Sequence, residues 1–509
     1  MNSSVEMEKE KLVFRGVNSK NPYSWEGLQT YGKIAYIDSG YDGIKSKEVA
    51  AWVVNNMMYK NIMEYVDLYI DMDTITLEKY SAVILPAMLD EVYLYRYKNK
   101  INAYLQNGGV VFSFLQNFTQ ILPNNTGYLA SNASIKDRQV HFTHADSSKK
   151  IFEGVREYDI NVRRGVKGFF NRGFFSLECF EEGKLPEVIL RDSEGECVAY
   201  IDRTSTNGIL LATASCDLFS YGLFDNTTAK RMGANLLYWL EEELRKKDYT
   251  ALREKAEYKN DEIVTRSAFD YGQEIKQEGL RKAFLTGGVA FHQKFFQNKK
   301  QKYSNLFERR VYVADMQDFK FADYDLVVLA SGLNIKFLIP YKEEILAYLK
   351  SGGNILSLGD SSKEYLPNIH RINYPTNFWW WTIEGADMPL YALESFDGGK
   401  SYVKQEKSTR EGLFSKINVN VAKWHCHGAY LPPEKAENIL VNEMDEAIIY
   451  KDTTFTGNLY IMSLDPDYHL GQGFMPTTEP FFDALMEWVE EDIVKGCKKQ
   501  KVEGVDKIK

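Results

Sequence analysis

The chain has 509 residues, enough for two to four domains of ordinary size, which excludes a miniprotein held together by disulfides. Apolar residues at 44% and charged residues at 26% are the proportions of a folded globular protein, and they exclude extended disorder and fibrous repeats. With 62 basic against 71 acidic side chains the formal charge is -9, so a nucleic-acid-binding surface spread over the whole chain is not expected.

Residues 1–32 read as an N-terminal extension. Its opening, MNSSVEMEKEKLVFRG, has charges where a signal peptide needs an apolar core, and no later stretch reaches the ~20 apolar residues of a membrane span. The five cysteines, Cys179, Cys197, Cys216, Cys426 and Cys497, are scattered singly without CxxC spacing, which fits a reducing compartment. A cytoplasmic protein without membrane contact is expected.

The first apolar run, Ile34 to Ile37, reads as a strand, followed by strand-like segments at Val66 to Ile70 and Val83 to Leu85. A helix then ends at Gly108-Gly109, and Val110 to Phe114 forms another strand. After Pro123 the pattern becomes irregular and hairpin-like, then recovers in a last strand, Ile209 to Ala214, and a closing helix. Residues 246–280 form a charged linker or helix, dense in Lys, Arg and Glu from Glu241 to Asp261. The order then recurs: Ala283 to Leu285, Val311 to Val313, Leu326 to Leu329, a helix ending at Gly352-Gly353, Ile355 to Leu358, and Leu459 to Ser463 before a final helix. The tail, 495–509, is basic and expected to fray.

The recurrence is a tandem repeat. At an offset of 244 residues, Tyr80–Asn124 laid without a gap on Tyr324–Asn368 gives 17 identities in 45 positions, among them both Gly-Gly pairs and a shared Leu-Pro-Asn ending. Two copies, 33–245 and 281–494, are therefore expected. Strands apolar on both faces and alternating with helices imply parallel sheets covered on both sides, an α/β fold.

The strand, helix, strand order, the "YLxxGG" helix end and the following IFEGV (Ile151 to Val155) or LFSKI (Leu413 to Ile417) resemble the class I glutamine amidotransferase-like superfamily. The trehalose-utilisation-type and galactosidase-trimerisation-type branches look nearest. The resemblance implies two tandem flavodoxin-like doubly wound domains with any site at the carboxyl ends of the strands. It also implies a nucleophilic cysteine at a sharp elbow after the Gly-Gly strand, yet this chain has Leu115-Gln116 and Gly359-Asp360 there. Without a thiolate at that turn, glutaminase chemistry is not expected. Cys216, after the last strand of the first copy, reads as a buried small apolar residue rather than a nucleophile.

Polar residues collect in the second copy: Thr286-Gly287-Gly288 with His292 after its first strand, Gly359-Asp360-Ser361-Ser362 at the elbow, Trp424-His425-Cys426-His427, and Asp465-Pro466-Asp467-Tyr468-His469 after the last strand. Asp360, His425, Asp465 and His469 are the expected catalytic groups, and Thr286, Gly287, His292, Ser361 and Trp380 the expected ligand contacts. On an extended piece His425 and His427 share one face. With His469 they would make a metal set favouring zinc or a similar transition ion. Other readings stand beside these: Asp465-Pro466-Asp467 is also a turn sequence, the histidines could satisfy buried hydrogen bonds, and Phe378-Trp379-Trp380-Trp381 could be core, partner surface or stacking platform. The first copy has Gln116, Cys216 and Asp217 at matching places, with Arg163, Arg164 and Lys167 suited to an anion. Two function classes stay open. One is a ligand-binding or hydrolytic protein, acting on a small molecule such as a sugar. The other is an inactive scaffold for a protein partner or a further copy of itself.

Overall fold

The computed structural model describes residues 24–41, 61–116, 120–125, 128–130, 138–163, 166–167, 171, 173–214, 230–246, 275, 278–297, 302–373, 390–396, 401–405, 412–424, 428–473 and 477–506. The chain divides into two compact units near residue 265.

In the first unit, β1 (Ile34–Asp38), β2 (Met63–Asp67), β3 (Ala82–Leu85) and β4 (Val110–Ser113) are followed by β5 (Val140–Phe142), β6 (Glu187–Asp192), β7 (Cys197–Asp202) and β8 (Ile209–Thr213). They line up as β2-β1-β3-β4-β8-β7-β6-β5. The pairs from β2 to β8 are parallel and those from β8 to β5 antiparallel. The parallel strands β1, β3, β4 and β8 are buried along their whole length, as a sheet covered on both faces requires. Between β3 and β4 runs α1 (Lys98–Gln106), which buries Ile101, Tyr104 and Leu105, and α2 (Lys230–Lys246) follows β8.

The second unit has β9 (Lys282–Thr286), α3 (Ala290–Phe296), β10 (Arg309–Tyr312), β11 (Leu326–Leu329), α4 (Lys342–Lys350) and β12 (Asn354–Ser357). After them come β13 (Leu390–Phe396), β14 (Ser401–Gln405), β15 (Ala436–Asn442), β16 (Ala447–Asp452), β17 (Leu459–Met462), α5 (Pro466–Gln472) and α6 (Thr478–Asp506). The sheet order is β10-β9-β11-β12-β17-β16-β15-β13-β14, parallel as far as β17 and antiparallel beyond it. Both units are thus flavodoxin-like, their parallel strands running in the order 2-1-3-4-5.

The two units share details as well as order. Val83 faces Val111 across β3 and β4, and Val327 faces Ile355 across β11 and β12 in the same register. Tyr104 donates its hydroxyl to the Tyr80 carbonyl at 3.1 Å, and Tyr348 donates to that of Tyr324 at 2.9 Å. The second glycine of each Gly-Gly pair exists because that ring lies on it: a Cβ would stand 2.4 Å from the Tyr104 ring at Gly109 and 2.0 Å from the Tyr348 ring at Gly353. On the other side, Gly457 comes so close that its own Cβ would be 1.8 Å from the Gly353 carbonyl oxygen.

Three segments differ from the sequence expectation. The expected strands Val66 to Ile70 and Val311 to Val313 begin earlier, at Met63 and Arg309. Both are edge strands that carry exposed or partly exposed residues ahead of their apolar run, Glu64 and Tyr65 in β2 and Arg309 and Arg310 in β10, so the apolar run marks only their inner half. The tail expected to fray after Val494 continues α6 as far as Asp506. Its Lys, Gln and Glu residues are good helix formers. Of the expected linker 246–280, most lies outside the described residues.

Gly353→Ala should lower the stability of the second unit by about 2–3 kcal/mol in denaturant unfolding, since overpacking against the Tyr348 ring has no cheap relief. Gly496→Ala, in α6 with open space around it, should be neutral or stabilising by about 0.5–1 kcal/mol. Equal effects of the two changes would contradict the role given to the ring contact.

Candidate functional site

Parallel strands of this order deliver their following loops to one edge of the sheet, and in the second unit the loops after β11, β12 and β17 meet there. Gly359, at the elbow after β12, has φ +68°, the left-handed region in which side chains are strained. A Cβ on it would stand 2.7 Å from Ser331 Cβ and 3.7 Å from Asp465 Cβ. The seat of an elbow side chain is therefore filled by Ser331, from the loop after β11. In the first unit the matching residue, Leu115, is buried core and is not among the described residues with positive φ.

The elbow backbone is tied down. The Gly359 amide donates to the Leu464 carbonyl at 2.8 Å. Tyr430 donates its hydroxyl to the Gly359 carbonyl at 3.1 Å and accepts the Ser361 amide at 2.8 Å. Ser361 is fully buried, its hydroxyl 2.8 Å from that of Ser357. Asp360 forms an ion pair with the Arg371 guanidinium, which also reaches Asn373, so its carboxylate is held by a cation rather than presented alone.

Ser331 links three loops. Its amide donates to Asp467 Oδ2 at 2.9 Å, and its carbonyl lies 2.8 Å from His292 Nε2. A carbonyl can only accept, so Nε2 is the protonated nitrogen of His292. Burial pushes the His292 imidazole down to about 3, leaving it neutral at physiological pH. Burial pushes the Asp467 carboxyl up to about 7; the Ser331 hydroxyl and amide pull it back, and the charge of Asp465 adds to the rise.

Asp465 and His469 are one helical turn apart at the start of α5, with His469 Nε2 3.2 Å from Asp465 Oδ1 and His469 buried. The Asp-Pro-Asp run, legible as a turn, is thus a helix entry with Pro466 in the first turn, where its missing N–H costs nothing. The His469 ring lies edge-on to Trp424 at 5.8 Å and to Tyr468 at 5.3 Å. Thr286, at the end of β9, is fully buried and its hydroxyl makes no hydrogen bond to any described residue.

Of the expected residues, Asp360, Ser361, Asp465 and His469 come from loops that meet at the elbow, and His292 joins them through Ser331. Thr286 and Gly287 lie after β9. His425, His427, Trp380, Cys426, Cys216 and Arg164 lie outside the described residues, and of Arg163 and Lys167 only the backbone is described. Among the described residues no group of three or more His, Cys, Asp or Glu is placed to hold a metal ion. Ser331, Tyr430 and Arg371 carry no sequence signature, since each acts from a different element.

At the matching edge of the first unit two buried aspartates stand beside Ser39 and Gln116. Burial pushes Asp38, at the end of β1, up to about 6 despite hydrogen bonds from Gly40 and from the Tyr65 hydroxyl at 3.2 Å. Asp90, fully buried, accepts from the Tyr69 hydroxyl at 2.7 Å and the Tyr93 amide at 3.0 Å.

No protein-family model matches the chain, and no curated protein matches it. Among solved structures it is similar to a glutamine amidotransferase of Thermotoga maritima (12% identity, 45% of this chain and 100% of that one, TM-score 0.26). It is also similar to a candidate GMP synthase component of Thermoplasma acidophilum (10% identity, 44% and 100%, TM-score 0.27). A third is the exo-β-1,4-mannosidase Op5Man5 of Opitutaceae bacterium strain TAV5 (10% identity, 56% and 46%, TM-score 0.22). Overlap at these scores says nothing of function.

The Asp467 carboxyl makes stability depend on pH in a stated direction. Unfolded it titrates near 3.8, and folded near 7, so between these values the folded state holds a proton the unfolded state has lost. That contribution is full at low pH and is lost as pH rises through 7. The melting temperature of wild type minus that of Asp467→Asn should therefore fall by a few degrees between pH 5 and pH 8, at about 2–4 °C per kcal/mol. A difference that stays flat across this range would contradict the burial of an ionisable carboxyl there.

Proposed function

We propose that the chain consists of two tandem copies of a class I glutamine amidotransferase-like domain, 33–245 and 281–494, joined by the charged segment 246–280 and working in the cytoplasm without glutaminase activity. The second copy binds, or hydrolyses, a small polar ligand of carbohydrate type at its strand ends. The observation that carries this reading is the meeting of Gly359, Ser331 and Asp465: the nucleophile's seat is closed, while the partly exposed Asp465, paired with the buried His469, stands beside it. Covalent catalysis from the elbow has no side chain to start from. What remains is recognition through hydroxyls, carboxylates and imidazoles, or activation of a water by His469 oriented by Asp465. His425 and His427 are proposed to complete that site or a zinc set with His469, and Trp380 to stack on the ligand.

The second reading is an inactive scaffold for a protein partner or a further copy of the chain. It is favoured by one observation, the Arg371 ion pair that occupies Asp360.

Glutamine hydrolysis should be absent from the wild type and should not appear in Gly359→Cys, where Ser331 leaves the new side chain no room. Glutamate release by either protein would overturn the first part of the proposal. In calorimetry against glucose, galactose, mannose and trehalose, binding by the wild type should weaken by about tenfold or more in Asp465→Asn, the loss expected for a hydrogen bond to a charged group. Gln116→Ala should leave it unchanged. An effect at Gln116 alone would move the working site to the first copy, and no binding of any of the four sugars or of their phosphate or carboxylate derivatives would favour the scaffold.

A further inference from the structure

We infer that the N-terminal turn of α6 and the indole of Trp424 form a binding site for a ligand that presents an oxyanion, a carboxylate or a phosphate-like group. This rests on reading the second copy as a ligand-binding domain and says what chemical group its ligand carries.

Two buried polar groups in this place have no hydrogen-bond partner among the described residues. Trp424 is fully buried, and its Nε1–H, which can only donate, makes no hydrogen bond to any described residue. The ring is not free to turn toward water: it packs edge-to-face on Phe481 with centroids 4.9 Å apart and on His469 at 5.8 Å. Thr478, the first residue of α6, is also fully buried, with a hydroxyl that makes no hydrogen bond to any described residue. A buried donor without a partner is costly enough that native proteins rarely leave one unmet. Phe481, from the same first turn of α6, carries the indole, so both orphan groups flank one helix end.

That end adds its own polarity. α6 is 29 residues long, and the first amides of a helix have no partner inside it. Pro480 contributes none, which leaves those of Thr478 and Glu479. An indole N–H and helix amides cannot accept, so the missing partner is an acceptor, and a cation is excluded. A neutral sugar hydroxyl could accept from the indole but would gain nothing from the positive helix terminus, whereas an oxyanion gains from both.

The nearby carboxylates do not fill the role. Glu479 turns outward, 59% exposed, toward Lys302 at 3.4 Å. Asp465 is 3.2 Å from His469 Nε2, and Asp467 accepts from the Ser331 amide. His469 therefore touches both Asp465 and the indole ring, and belongs to this site as well as to the elbow.

The test uses the full chain, with inorganic phosphate and acetate as probes at constant ionic strength set with chloride. Saturable binding by calorimetry, with a matching rise in melting temperature, is expected for at least one of the two anions. Phosphate alone would assign a tetrahedral group, and acetate a planar carboxylate. Trp424→Phe and Thr478→Val, which keep ring and volume, should each weaken it by about tenfold. Absence of saturable binding would overturn the inference, as would binding untouched by both substitutions. So would a rise in stability of the variants without any anion effect, the mark of a site that holds water only. Sugar binding sensitive to Asp465→Asn but not to Trp424→Phe would leave the proposed function standing and remove this inference alone.

Discussion

Everything at the strand ends of the second domain depends on the close approach of Ser331 to Gly359. Two neighbouring parallel strands, β11 and β12, send their loops outward at a spacing fixed by the backbone ladder, and the volume between those loops admits one side chain. Ser331 supplies it, and the elbow residue must then be glycine in the left-handed conformation. With the elbow so set, its carbonyl meets the Tyr430 hydroxyl and its amide the Leu464 carbonyl. Ser331 can in turn give its amide to Asp467 and its carbonyl to His292. One steric choice fixes the orientation of residues from four loops.

The two domains show how a shared frame carries different polar chemistry. The frame is held by contacts that leave no room for variation: a tyrosine ring lying on a glycine, a second glycine against the backbone behind it, and an identical register in the central strands. The strand ends are outside that frame. The first domain gathers buried aspartates there, supported by tyrosine hydroxyls, and the second a neutral histidine, a buried serine and an aspartate–histidine pair. Packing of the apolar strands is indifferent to this exchange, which is why one fold can house either set.

The frame is also the legible part of the sequence. Central strands such as Leu326 to Leu329 and the Gly352-Gly353 helix end are written in consecutive residues, so apolar runs and glycine pairs locate them. Edge strands are misplaced by a few residues because solvent dilutes their apolar pattern. The candidate site is legible only in part. Asp465 and His469 stand out by residue type, but Asp-Pro-Asp suits a turn and a helix entry equally, and the chain around it does not decide. The Ser331–Gly359 approach, the Tyr430 clamp and the Arg371 ion pair join residues from separate elements. A single sequence carries no mark of such pairings, because the register of distant loops is set by the whole sheet.

The shared volume at Ser331 and Gly359 also constrains the history open to this domain. A side chain does not fit at the elbow while the serine is there, and removing the serine alone opens a void without giving the elbow any new chemistry. Only the two changes together would open room for a side chain at the elbow. The polar network around the elbow can be tuned one residue at a time, whereas placing a side chain at position 359 requires coordinated changes at 331 and 359.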